Sequence, residues 1–176
     1  MTKLVLFSGG HDSANLLKRA APDCLAVFFD YGQPARLQEM RAAITVCADL
    51  GVELMIEKMP ELGRDGDIHY GRNLLMVAQA IPIAISVGAV EVQIGCIDLD
   101  HEQFPDCRPE FIKHLNAATQ ASYGVKVTAP LTSRPSYIVP GTWSCYGGGP
   151  YPCGTCLSCR QGQDRWPPHD REGVDA

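Results

Sequence analysis

The chain reads as an α/β protein: a doubly wound, five-stranded parallel sheet with a small loop-rich C-terminal region. Three observations predict it. Five short apolar runs alternate with segments of helix formers, the order that places helices on both faces of a parallel sheet. A Gly-rich stretch joins the first run to the first helix, at the kind of turn where such sheets bind ligands. The one marked change of composition comes near Leu131, after which Pro, Gly, Cys and Ser dominate.

Each element has its own grounds. LVLF, residues 4–7, suits a strand buried on both faces, and SANLLKRAA supplies helix formers with an apolar face. CLAVFFDYG is a second buried run. In ARLQEMRAAITVCADLG, Leu37, Met40, Ile44, Cys47 and Leu50 recur every three or four residues, a stripe that Gly51 can end in a left-handed C-cap. VELMIEKM is the third strand, and PELGRDGDIHYGR, residues 60–72, is loop by composition. NLLMVAQAIPIAISVGA is apolar nearly all round, which predicts a helix packed deep against the sheet and kinked at Pro82. VEVQIG is the fourth strand and VKVTAP the fifth; between them Asp106 is placed to cap PEFIKHLNAATQASYG, with Pro109 in its first turn.

With 176 residues, 45% hydrophobic and 20% charged, the chain can bury one domain core but not a second full one. The expected division is 1–131 for the α/β domain, 132–162 for the loop-rich segment and 163–176 for a tail that is expected to be disordered. A net charge of -5 argues against a protein that grips nucleic acid by its phosphates, so a small-molecule substrate is expected and direct nucleic-acid contact is not. No apolar run is long enough for a membrane span, and MTKLVLFSGG lacks a signal-peptide cleavage pattern. A cytoplasmic location, away from membrane, is the expectation.

SGGHDS follows the first strand. Gly9 and Gly10 allow close backbone approach, while Ser8, Ser13 and the N–H groups at the helix start offer donors: an anion cradle, against the plainer reading of a connecting turn. Neither G-x-x-x-x-G-K-[ST] nor G-x-G-x-x-G occurs, so the two commonest phosphate fingerprints lose support. The eight cysteines fall into two sets. Cys24, Cys47, Cys96 and Cys107 are scattered, and the first two read as small core residues. Cys145, Cys153, Cys156 and Cys159 follow C-x7-C-x2-C-x2-C, a spacing that lets four thiolates converge on one tetrahedral ion, a structural Zn²⁺. Disulfides fit a cytosolic chain poorly.

The string S-G-G-x-D-S after an N-terminal strand resembles the pyrophosphate loop of the N-type ATP pyrophosphatases. FDYGQPAR from Phe29, GRNLLMVAQA from Gly71 and GCIDLDHEQFPDCRPEFIKHLN from Gly95 narrow the resemblance to the 7-cyano-7-deazaguanine synthase family of queuosine biosynthesis. The likeness spans most of residues 3–131 and resumes at TWSCYGGGPYPCGTCLSCR. It implies an adenine nucleotide alpha hydrolase-like fold, ATP, Mg²⁺ and Zn²⁺ as cofactors, and a homodimer. The implied activity is ATP-dependent carbon–nitrogen ligation: 7-carboxy-7-deazaguanine and ammonia go to 7-cyano-7-deazaguanine through an adenylated acid and an amide.

The resemblance also implies residue roles. Phe7, Ser8, Gly9, Gly10, His11, Asp12, Ser13 and Leu17 fall in the ATP-binding stretch, with Asp12 the Mg²⁺ ligand or, on the plainer reading, a helix cap. His11 stands where the family usually has Gln, and its side chain is expected to face solvent or nucleotide. Arg72, Asn73, Asp98, Asp106 and Arg108 fall in the substrate stretches. Arg72 or Arg108 would grip the carboxylate, and Asp98 or Asp106 would accept from guanine-like N–H groups, with capping or a surface ion pair the alternative for each. Ser8, Asp12, Ser13, Arg72 and Arg108 form the implied catalytic set, and the four clustered cysteines the implied metal ligands. The family continues after APLT with a lysine-bearing helix, whereas SRPSYIVPG bridges the gap here, with Arg134 as the stand-in cation. An enzyme that stops at the amide or serves a phage or defence pathway, and a non-catalytic nucleotide- or base-binding module, are therefore the alternatives. A nucleic-acid thiolase ranks lower, because only Cys96 and Cys107 could serve as its catalytic thiols.

Overall fold

Apolar side chains alternate along the central strands, and that alternation builds two cores rather than one. In β1 (Lys3–Leu6) and β2 (Cys24–Asp30), Leu4, Leu6, Leu25, Val27 and Phe29 face one side, while Val5, Ala26 and Phe28 face the other. The computed structural model describes residues 3–65, 69–131 and 139–163. With β3 (Glu53–Lys58), β4 (Glu91–Gln93) and β5 (Lys126–Thr128) the strands form a sheet of order β3-β2-β1-β4-β5, parallel at every pairing. The doubly wound α/β fold expected from the sequence is the fold observed.

Helices α1 (His11–Ala20) and α2 (Arg36–Leu50) cover one face, burying Ala14, Leu16, Leu17, Ala43, Val46 and Cys47 against Val5, Phe7 and Phe28. Helices α3 (Arg72–Val87) and α4 (Pro109–Tyr123) cover the other, with Val77, Ala80, Ile81, Ala84 and Ile112 against Leu4, Leu25, Val27 and Val92. Truncating a fully buried leucine such as Leu4 or Leu17 to alanine would cost about 2–5 kcal/mol. A short helix, α5 (Leu157–Gln163), carries the last of the clustered cysteines, Cys159. Among the described residues no helix is long and apolar enough to cross a membrane.

Three local expectations are corrected. The stripe on α2 holds only in part: Cys47 is buried and Met40 and Leu50 pack against the core, but Leu37 and Ile44 are more than half exposed, and Ala42, Ala43 and Val46 complete the buried face. Small residues win that face because α2 lies close under the loop after β1. Helix α3 is not sunk on all sides; Leu74, Leu75 and Ile85 are exposed, because it forms the outer layer of a three-layer stack. It continues through Pro82, which lies on the exposed side. Asp106 caps α3, not α4: its Oδ2 accepts the Asn73 N–H at 3.0 Å from the 3-10 turn Pro105–Cys107, while α4 starts at Pro109 with no side-chain cap.

Candidate functional site

The chain leaves β1 toward β2 through α1 but enters β4 on the opposite side of β1, so the connections diverge between β1 and β4. A cleft opens beyond the carboxyl ends of these strands, as doubly wound topology requires. One wall is the loop after β1. Phe7 N–H still donates to Val27 O at 2.9 Å, and Gly9 then turns with φ +81°. A Cβ on Gly9 would stand 2.3 Å from the Glu39 carbonyl oxygen, so the loop seats directly on α2 and only glycine fits. Ser13 Oγ ties the turn together: it donates to Gly10 O at 3.1 Å, accepts the Ser8 N–H at 3.3 Å and lies 3.0 Å from Ser8 Oγ. The exit from β4 passes beside it, a Cβ on Gly95 coming within 3.1 Å of the Ser13 backbone.

Of the nucleotide-stretch residues, Phe7, Ser8, Gly10, His11, Asp12 and Ser13 line the cleft. Gly9 supports the loop from beneath, and Leu17 is fully buried in the core behind it. Of the two surroundings expected for His11, solvent or nucleotide, burial excludes solvent. The His11 Nδ1 shares a hydrogen bond with Thr142 Oγ1, so the residue joins the loop to the C-terminal segment.

The opposite wall holds the substrate-stretch residues only in part. Arg72 lines the cleft, its Nη1 donating to the Tyr31 hydroxyl at 3.5 Å. Asn73 is buried there; its Nδ2 donates to Asp106 O at 3.1 Å and to Cys107 Sγ at 3.3 Å, so Asn73 and Asp106 form a clamp between α3 and the 3-10 turn. Asp106, held in that clamp, does not itself line the cleft, and neither do Asp98 and Arg108. The latter two are exposed, Asp98 lying 4.0 Å from His101 Nδ1 and Arg108 Nε donating to His101 O at 2.9 Å. Arg134 lies outside the described residues. Cys24 and Cys47 are buried core residues as expected, whereas Cys96 and Cys107 are buried at the cleft wall.

Sequence reading missed Glu39. It lines the cleft, and its carboxyl is pushed up to about 7 by loss of hydration, an effect that the Gln33 hydrogen bond and the Arg72 charge partly oppose. Gln33 holds it in place with every polar group engaged: Oε1 accepts the Tyr31 N–H at 3.0 Å, and Nε2 donates to Phe29 O at 3.2 Å and Glu39 Oε2 at 3.0 Å. His69 packs edge-on against Tyr31 with ring centroids 5.2 Å apart, and burial together with the Arg72 charge lowers its pKa. The cleft thus sets a guanidinium opposite a hydroxyl-rich helix start, with a carboxyl of raised pKa nearby.

The four clustered cysteines come together. The Sγ atoms of Cys145, Cys153, Cys156 and Cys159 all lie within 4.8 Å of one another. Backbone N–H groups aim at the sulfurs: Gly147 and Cys153 toward Cys145 at 3.3 and 3.2 Å, and Cys156 toward Cys153 at 3.3 Å. The N–H groups of Thr155 and Cys156 pull the Cys153 thiol down to about 6. Four soft donors within reach of one point fit a closed tetrahedral Zn²⁺ site. The segment is fastened to the cleft as well, with Trp143 N–H donating to Gly9 O at 2.9 Å and Gln38 Nε2 to the carbonyls of Gly148 and Gly149 at 3.2 and 2.8 Å.

Comparison with known proteins agrees with this arrangement. The family described as queuosine biosynthesis protein QueC matches residues 2–67 and 67–167. The "7-cyano-7-deazaguanine synthase 1" of Colwellia psychrerythraea strain 34H is 32% identical over 197 aligned positions, covering 90% of this chain and 90% of the relative. The 7-cyano-7-deazaguanine synthase of Psychromonas ingrahamii is 33% identical, covering 89% of this chain and 88% of its own length. That of Synechococcus sp. strain RCC307 is 32% identical, covering 90% and 91%. These alignments are longer than the 176-residue chain, so the relatives carry residues opposite gaps in it. A solved structure, a predicted subunit of a tRNA methyltransferase from Methanocaldococcus jannaschii, aligns with a TM-score of 0.44 at 16% identity over 75% of this chain and 69% of that one. With the family match running through both the loop after β1 and the cysteine cluster, the chain belongs to the queuosine biosynthesis protein QueC family.

Proposed function

We propose that the chain is an enzyme of the cytoplasm, an ATP-dependent carbon–nitrogen ligase that converts 7-carboxy-7-deazaguanine and ammonia to 7-cyano-7-deazaguanine. The observation that carries this reading is the pairing in one cleft of a helix start flanked by serine hydroxyls with Arg72. The names of the related synthases support the substrate.

A carboxylate is a poor electrophile, because its charge repels a nucleophile and oxide is not expelled. Attack of the carboxylate oxygen on the α-phosphate of ATP releases pyrophosphate and leaves an acyl adenylate. Ammonia adds to the acyl carbon, loses a proton and displaces AMP, giving the amide. The amide oxygen attacks the α-phosphate of a second ATP, releasing pyrophosphate and one N–H proton, and loss of AMP with the second N–H proton leaves the nitrile. The Ser8 and Ser13 hydroxyls and the first N–H groups of α1 would bind the phosphates, and their fixed dipoles favour charge developing on the leaving group. Arg72 would hold the carboxylate beside them. Asp12, partly buried in the cleft wall, is the residue that would hold Mg²⁺, whose charge offsets that of the phosphates. Glu39, with a carboxyl titrating near neutrality, would take the proton released as ammonia adds.

Mass spectrometry of the product formed with ATP, Mg²⁺, ammonia and the acid tests this. The nitrile is expected. The gaps opposite the longer relatives favour one second reading, an enzyme that stops at the amide, and accumulation of amide without nitrile would select it. Unchanged acid would reject both ligase readings and leave the non-catalytic binding module.

A further inference from the structure

We propose that Ser144, supplied by the cysteine-bearing segment, is a phosphate-binding residue of the nucleotide loop. The inference rests on the nucleotide reading of that loop.

The first N–H groups of a helix have no partner within it, and Gly10, the residue ahead of α1, has no side chain with which to cap them. Ser144 reaches that position from the far end of the sequence. Its Oγ accepts the His11 N–H at 3.2 Å, the first donor of the helix start. A hydroxyl that accepts one hydrogen bond keeps its own proton to donate, so Ser144 can hand an O–H to an anion at this spot. Its surroundings match such a role. A Cβ built on Gly10 would fall 3.4 Å from Ser8 Oγ and 3.5 Å from Ser144 Oγ, so hydroxyls from the two ends of the chain flank one notch that the missing side chain keeps open. Ser8, Ser13 and Ser144 all line the same cleft.

The backbone around Ser144 is fixed on both sides. Trp143 N–H donates to Gly9 O at 2.9 Å, Trp143 Nε1 to Cys145 O at 2.8 Å, and Thr142 Oγ1 to Val139 O at 2.7 Å. The hydroxyl is therefore held in place before any ligand arrives, one residue from the first metal-ligand cysteine. A residue that only capped α1 would affect folding and leave the balance between ligands alone. A phosphate ligand would shift that balance.

The test is calorimetric titration of the full, metal-loaded chain with pyrophosphate in the presence of Mg²⁺, and separately with 7-carboxy-7-deazaguanine. Ser144→Ala should weaken pyrophosphate binding by about tenfold, the loss of one hydrogen bond to a charged group. It should leave the affinity for the acid and the metal content unchanged, and Ser144→Thr, which restores a hydroxyl, should recover most of the pyrophosphate affinity. Wild-type pyrophosphate affinity in Ser144→Ala, or an equal loss for both ligands, would overturn the assignment. Failure of the wild-type chain to bind pyrophosphate at all would instead overturn the nucleotide reading, and this inference with it.

Discussion

Gly9 and Gly51 both have left-handed backbone, with φ +81° and +63°, yet their surroundings set very different demands. Nothing lies within 4 Å of a Cβ built on Gly51, whereas one on Gly9 meets the Glu39 carbonyl at 2.3 Å. Gly51→Ala should cost about 1 kcal/mol from backbone strain alone. Gly9→Ala should cost about 3 kcal/mol or more, since α2 must also move, and urea unfolding of the two variants checks the contrast. Glu39 makes a pH prediction. Its carboxyl is raised in the folded chain, so between the ordinary carboxylate range and about 7 the folded state holds a proton that the unfolded state has lost. Stability therefore falls as pH rises through that window. Glu39→Gln should flatten this fall in thermal unfolding measured across the window, and an unchanged slope would contradict the burial argument. At this scale the cysteine cluster and the serine-glycine loop could be read in advance, because local spacing brings their side chains together. Glu39 could not: a glutamate in the first turn of a helix looks ordinary until Gln33 and Arg72 are brought to it. Asp98 and Arg108 failed as cleft residues for the converse reason, since their stretch turns in 3-10 geometry and sends both side chains to His101.

At the scale of elements, the cysteine segment and the loop after β1 behave as one unit. Trp143 is bonded to Gly9, Thr142 to His11, and Leu131 and Val139 enter the core beneath α1 and α2. Such a segment has few apolar residues of its own, so metal binding would contribute most of its order. Cys156→Ser should abolish metal retention, measured as metal per chain. It should also speed amide hydrogen exchange at residues 9–13 as well as 142–146, while the strands β1 and β2 keep their protection. Exchange that rose only around the cysteines would contradict the coupling. All five strands could be placed from the sequence, β1 and β2 because their runs are buried on both faces, and the more exposed edge strands β3 and β5 by their place in the alternation with helices. The helix faces could not be placed equally well. Composition made α3 apolar all round, but a helix in an outer layer has only one face to bury, and which one depends on the sheet beneath. The Asp106 cap shows the same limit, its partner being the start of α3 across space rather than the next helix along the chain.

At the scale of the whole molecule, the order β3-β2-β1-β4-β5 does the positioning. By entering β4 beside β1, the chain brings a serine-rich helix start and the N-terminus of α3, with Arg72, to the two sides of one cleft, and the C-terminal segment closes over it. The fold class was available from the alternation of strands and helices. The partners across the cleft were not, since they come from segments far apart in sequence. In the proposed reaction this cleft activates a carboxylate by transferring AMP to it. The direct measurement uses acid labelled with ¹⁸O in the carboxylate, followed by mass spectrometry of the nucleotide and phosphate products. Label in AMP, with none in pyrophosphate, is the predicted result. Label in inorganic phosphate, or retained wholly in unreacted acid while ATP is consumed, would contradict it.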